Sequence, residues 1–343
     1  MHNINIENGK AAIAYNVENG PPWHGLGTSM KGKMTSQEGI VAAHLDFEVE
    51  LLPVYALASK EDKRVYIPDK FATVRMDTMQ ALGVVGKKYT PLQNTEAFEF
   101  FDKLVGTGEA IYEVCGALGR GETVWILAEL PGELRIEGTD DVTKKYLLLT
   151  NTHDGSRSVR VFYTPVRVVC FNTLSMAISR RKKGEGIAIR HFPGVKEKVN
   201  EARKVLGLAI KQYDVIGKVF NALNKHNWNG DRLETYVNRV FPPSKEKEEG
   251  REDEISTRLR NIRQDVVNLF DSPQNRLPGI RGTAWAAYNS VTQYVDHYRT
   301  TYKTEDRTRK LRSIWFGNGA IVKERALDIA LEEIGLPPIA MLN

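Results

Sequence analysis

Arginines set in apolar sequence are the main chemical resource of this chain. Arg157, Arg160 and Arg167 fall within one run, KYLLLTNTHDGSRSVRVFYTPVRVVCFN, and four consecutive cations, Arg180-Arg181-Lys182-Lys183, follow between short-side-chain residues and glycine. Arg190 comes next, directly after the apolar piece Ile187 to Ile189. Guanidinium and ammonium groups gathered on one surface neutralise phosphates, arginine bidentately. Trp23 and Tyr89 offer rings on which bases can stack. These ten residues, Trp23, Tyr89, Arg157, Arg160, Arg167, Arg180, Arg181, Lys182, Lys183 and Arg190, form the candidate nucleic-acid-binding set. Each has a plainer alternative. An arginine can lay its stem over a sheet and pair with a carboxylate, Trp23 can anchor its own arm, and a run of cations can simply be solvated.

Other chemistries are weaker. His153, Asp154, Cys170 and Asn172 include the residue types of a thiol hydrolase. Cys170, however, lies more than a turn inside an expected helix, beyond the reach of the helix N-terminus, and a turn accounts for His153-Asp154. The seven histidines lack metal-ligand spacing. Gly27 to Lys33, GTSMKGK, matches seven positions of a phosphate loop, but the eighth is Met34, which has no hydroxyl for magnesium, and no apolar strand precedes it. No catalytic residue, cofactor or metal is assigned.

The 343 residues are 41% hydrophobic and 27% charged, with a net charge of +5. This is the balance of an ordinary globular protein with a substantial core, mildly biased toward polyanionic partners. Cys115 and Cys170, both in apolar surroundings, read as small core residues in a reducing compartment. The first residues, MHNINIENGK, have neither the basic start nor the apolar core of a signal peptide, and no apolar run approaches a membrane span. A cytoplasmic protein without membrane contact is expected.

The elements that must position the arginines follow from local pattern. Residues 1–35, rich in glycine and proline around GPPWHGLGTSMKGK, read as an extended arm. Residues 36–192 read as an α+β core domain with an antiparallel-rich sheet. Ser36 caps a short helix; Phe47 to Leu57 and Arg64 to Pro68 are strands; Thr95 caps a helix reaching Val105. Strands then run from Glu109 to Leu118 and Thr123 to Leu130 about the Gly119-Arg120-Gly121 turn, with another at Glu133 to Ile136. Tyr146 to Thr150 turns at Asp154-Gly155 into a return strand, Ser158 to Tyr163, with Arg160 and Phe162 on one face and Val159, Val161 and Tyr163 on the other. Thr164-Pro165 reads as an N-cap and first helical residue, so a helix is expected from Pro165 along Val166, Val169, Cys170 and Thr173. Residues 193–343 are a helical C-terminal region, with stripes from Val195 to Tyr213, Ile255 to Leu269, Ala284 to Tyr298 and Ala320 to Ile334, and a mobile charged connection at about 242–254.

With these segments named, the combination of Pro22-Trp23-His24-Gly25-Leu26-Gly27, Tyr89-Thr90-Pro91-Leu92-Gln93-Asn94, Leu149 to Ser156 (LTNTHDGS), Thr164 to Cys170 (TPVRVVC), Gly282 to Asn289 (GTAWAAYN) and Trp315-Phe316-Gly317 resembles the phage- and plasmid-borne family catalogued as domain of unknown function 932. Phe171 departs from that pattern, which usually has a polar residue before Asn172. The resemblance implies a bacterial mobile-element protein working in the host cytoplasm; it brings no agreed activity and no catalytic residues.

The expected function is therefore nucleic-acid binding, to single-stranded DNA during recombination or replication of the element, by a homo-oligomer. The likeness to single-strand annealing proteins, which cross a twisted antiparallel sheet with a helix and assemble as rings, is architectural only. The alternative is a protein-interaction factor acting against host defence, docking through its helical part, with no DNA chemistry.

Overall fold

The computed structural model describes residues 5–7, 9–16, 27–32, 34–58, 63–105, 111–167, 172–173, 187–194, 204–228, 230–243, 256–299, 313–315 and 317–341. Where an extended arm was expected, the described N-terminal residues form short strands. After a two-residue ladder of β1 (Ile6–Glu7) and β2 (Lys10–Ala11), strand β3 (Ile13–Asn16) joins the main sheet, with β4 (Thr28–Met30) parallel beside it. Ile13 and Ala14 are completely buried, so the apolar character of this short stretch outweighs the surrounding turn residues. Thr28 to Met30 being a strand also excludes a phosphate loop there.

Helix α1 (Ser36–Ala42) is capped by Thr35, one residue earlier than expected, in a reciprocal box with Glu38. Strands β5 (Val49–Ala58), β6 (Lys63–Arg75) and β7 (Gln80–Gly86) form a separate antiparallel three-stranded sheet. Helix α2 (Asn94–Val105) leads to β8 (Ile111–Leu118), β9 (Thr123–Arg135) and β10 (Val142–Thr152), the antiparallel spine of a nine-stranded sheet. The strands expected at Thr123 to Leu130 and Glu133 to Ile136 are one continuous β9. Beyond β10 lie β11 (Val159–Tyr163), β12 (Val166–Arg167) and β13 (Asn172–Thr173), and β14 (Ile187–Ile189) pairs with β11. The fold is α+β with antiparallel-rich sheets.

The expected helix from Pro165 is not formed at its start. Val166 and Arg167 pair with Lys144 and Thr143 of β10, so β11 and β12 follow the same edge of that strand, interrupted at Thr164-Pro165. The interruption faces a bulge at Lys145, where β9 and β10 slip register. There the Tyr213 hydroxyl accepts from the Tyr146 N–H at 2.8 Å and donates at 2.6 Å to the Tyr146 carbonyl, which also accepts from the Thr164 N–H at 3.0 Å. Residues 168–171, including Cys170, lie outside the described residues.

The helices α3 (Lys204–Asn224), α4 (Gly230–Val240), α5 (Thr257–Phe270), α6 (Ala284–Gln293, continued by a π-turn to Tyr298) and α7 (Asn318–Glu333) gather in the C-terminal part. Sheet residues Ile126, Leu147, Leu149 and Val161 share one core with Phe220, Trp285 and Leu327 from these helices. The opposite sheet face carries Ile13, Leu118, Trp125 and Leu148, covered by Ile314 and Trp315, with the Trp125 and Trp315 rings edge to face at 5.0 Å. Among the described residues no helix is long and apolar enough to cross a membrane.

Candidate nucleic-acid interface

The expected hairpin is present. Thr150 pairs with Arg160 and Leu149 with Val161, so Arg160 stands on the Trp125 side of the sheet and Val161 on the helix-covered side. The turn is closed by Asp154, whose side chain accepts from the Ser156 N–H at 2.8 Å, and by Gly155 at φ +75°. Strand β7 leans directly on it: a Cβ at Gly83 would sit 2.5 Å from the Asp154 carbonyl oxygen. The small sheet thereby fixes the turn against the large one.

Four of the ten candidate residues meet at this corner. Arg157 ends the turn half-buried, Arg160 is half-buried with its Nε 3.4 Å from Ser158 Oγ, and Arg190 is exposed at the end of β14, beside β11. Tyr89 is tied to the same end of the sheet through Thr152 and His191. Its hydroxyl donates to the Thr152 carbonyl at 3.3 Å, and its ring stacks on His191 with centroids 4.9 Å apart. One face of Tyr89 is thus occupied from within. Burial, with the nearby Asp154 charge, raises its hydroxyl pKa, so it stays a neutral hydrogen-bond donor. Trp23, Arg180, Arg181, Lys182 and Lys183 lie outside the described residues. His191 and the exposed Lys88 also belong to the corner. Their signal was present in the runs Lys87-Lys88-Tyr89 and Arg190-His191, where an aromatic or imidazole ring directly follows a cation.

Arg167 is elsewhere. Its side chain is completely buried, and Nε donates to both Asp141 oxygens at 2.8 and 2.9 Å. Nη1 donates to Asn275 Oδ1 at 2.7 Å and Nη2 to the Gln274 carbonyl at 2.9 Å. Trp285 Nε1 donates to the same Asp141 carboxylate at 2.7 Å. With every edge of its guanidinium engaged and no solvent access, Arg167 clasps the helical layer to the sheet and is not a phosphate ligand.

Of the residue types of a thiol hydrolase, His153 and Asp154 serve the structure, and Cys170 lies outside the described residues. His153 is completely buried, with Nε2 2.9 Å from Asn94 Oδ1, and burial lowers its pKa to about 3. It ties the end of β10 to the start of α2. Burial lowers His191 to about 4, although a backbone hydrogen bond and Asp154 oppose the shift. Cys115 is buried, its thiol pushed up to about 12, and contacts the Gly39 carbonyl. Among the described residues no group of three or more His, Cys, Asp or Glu is placed to hold a metal ion.

No curated protein and no solved structure matches the chain. The sequence profile described as Domain of unknown function (DUF932) matches residues 81–315; Pro22 to Gly27 fall outside that match. The matched span takes in the β10–β11 turn, the Arg167 clasp and the Trp285 helix, well over half of the chain, and by that match the protein belongs to the DUF932 family.

Proposed function

We propose that the protein binds nucleic acid, and single-stranded DNA in particular, as a phage or plasmid protein acting in recombination or replication of its element in the bacterial cytoplasm. One observation supports the reading: strand pairing brings Arg157 and Arg160, on the β10–β11 hairpin, beside Arg190 at the end of β14, and His191, next in sequence to Arg190, stacks on Tyr89, which follows Lys88. Cations beside a ring fit a backbone-tracking site with a base platform. Arg180 to Lys183 precede β14 in sequence and add charge to the same part of the chain. The test is fluorescence anisotropy of labelled single-stranded and duplex oligonucleotides against the purified protein, at low and at near-physiological salt. Tighter single-strand binding that weakens steeply with salt is expected. Absence of binding at low salt overturns the proposal.

A protein-interaction factor is the second reading, and the exposed apolar hairpin of β5 and β6 favours it. In that case the corner arginines are surface charge, and replacing them leaves partner capture unchanged.

A further inference from the structure

The helical layer carries a second group of arginines, on elements other than those of the basic corner. Arg258 is the second residue of α5, and Arg299 follows the π-turn that ends α6. The two line one cleft of about 480 Å³, together with Tyr294 and Tyr298. A buried ion pair, Lys323 Nζ to Asp296 at 2.9 Å, fixes α7 against the π-turn, and Arg325 of α7 follows Lys323 by two residues. Burial lowers the pKa of both Arg299 and Arg325. A neighbouring arginine lowers each further, Arg258 acting on Arg299 and Arg299 on Arg325, although Tyr294 opposes the shift in Arg299.

This arrangement runs against local preference. The N-terminus of a helix is the positive end of its dipole and favours acids, yet the first turn of α5 has no acid and carries Arg258. Arg299 is half-buried, and its Nη1 is buried and donates to no group among the described residues; Arg325 Nε is in the same condition. A buried guanidinium donor without an acceptor is destabilising. Asp265 is the one carboxylate among the described residues of the lining, and no ion pair joins it to Arg258 or Arg299. Glu324 and Asp328 line a neighbouring cleft with Arg325, and neither is paired with it. A π-turn within a helix is itself a frequent feature of functional sites, and breaches of local preference concentrate there.

An anion held between Arg258 and Arg299 answers the conflict at the head of α5 and gives the Arg299 guanidinium an acceptor. The same cleft offers more than charge. Tyr298, 57% exposed, presents a ring on which a base can stack, and Ile262 adds apolar lining. Asn261 supplies an amide, and Asp265 accepts from hydroxyl or amino groups. The volume lies in the range of small-ligand sites. We infer that this cleft binds a nucleoside monophosphate, with its phosphate on Arg258 and Arg299 and its base against Tyr298. The site is independent of the nucleic-acid reading of the corner.

The test is isothermal titration calorimetry of the full chain with adenosine, guanosine, cytidine and uridine monophosphates and with inorganic phosphate, thermal melting serving as the folding control. At least one nucleotide should bind, about tenfold or more tightly than inorganic phosphate. Arg299→Met should weaken that nucleotide by about tenfold or more without lowering the melting temperature, because the buried donor it removes has no acceptor. Tyr298→Ala, at an exposed position, keeps the test decisive even if Arg299→Met fails to fold: it should keep phosphate binding and lose the advantage of the nucleotide. Absence of heat from all four nucleotides overturns the inference. So does a nucleotide no tighter than phosphate, an affinity that folded Arg299→Met leaves unchanged, or an advantage that survives Tyr298→Ala. Weaker single-stranded DNA binding in Arg299→Met, with no heat from the nucleotides, would make the cleft a DNA contact and likewise overturns it. Failure of the nucleic-acid reading would appear in anisotropy of the wild-type protein and leave the calorimetry unchanged.

Discussion

Arg160 and Arg167, in the same apolar stretch, have opposite duties. Arg167→Ala removes the guanidinium that pairs with a completely buried Asp141, and leaving a buried charge uncompensated costs about 3–5 kcal/mol. Arg160→Ala, at a half-buried site, is expected to stay within about 0.5–1 kcal/mol of wild type. Urea unfolding midpoints of the two single variants check this, and only Arg160→Ala should weaken DNA binding while the fold stays intact. The difference was not legible in sequence, where both arginines alternate with valines; the partners that claim Arg167 come from Asp141, Gln274 and Asn275, far along the chain. His153 and His191 give a second prediction. Free histidine titrates near 6.5, while burial lowers these two to about 3 and about 4. The unfolded chain therefore takes up protons that the folded chain refuses, and stability falls as the pH drops below about 6.5, down to the folded values. Urea midpoints measured from about pH 7 to about pH 4.5 should decline, and more shallowly in His191→Gln.

At the scale of elements, the β10–β11 hairpin was legible because its signals agree: a β-branched and leucine-rich strand, Asp154-Gly155 at the turn, and an alternating return strand. The segment after it was not, because Thr164-Pro165 satisfies helix-start chemistry and strand-break chemistry equally well. The choice is made by the bulge at Lys145 and by Tyr213, on a helix whose contact with Tyr146 no local pattern announces. Tyr213→Phe takes the hydroxyl acceptor from the Tyr146 N–H, while the carbonyl keeps the Thr164 N–H, and a loss of about 1–3 kcal/mol is expected by calorimetry or urea unfolding. Strand β7 escaped notice because Gly83 and Gly86 break its pattern; Gly83 is there because the turn approaches too closely for a Cβ. Gly83→Ala should lower the melting temperature and weaken DNA binding together, since it pushes on the turn that ends in Arg157.

For the whole molecule, the apolar stripes announced the C-terminal helices, but nothing in them said that they share one core with the sheet. That shared core leaves Arg157 and Arg160 of the β10–β11 hairpin and Arg190 at the end of β14 as a basic corner, with Arg160 on the sheet face that carries Trp125. The central claim is that this corner contacts phosphates. It is tested most directly by the slope of log affinity for single-stranded DNA against log salt, in wild type and in the Arg160→Ala, Arg190→Ala double variant. Each lost phosphate contact removes about 0.7 from the magnitude of the slope, so the double variant should be shallower by about 1.4 with unchanged melting. Equal slopes in a fully folded double variant would contradict the account.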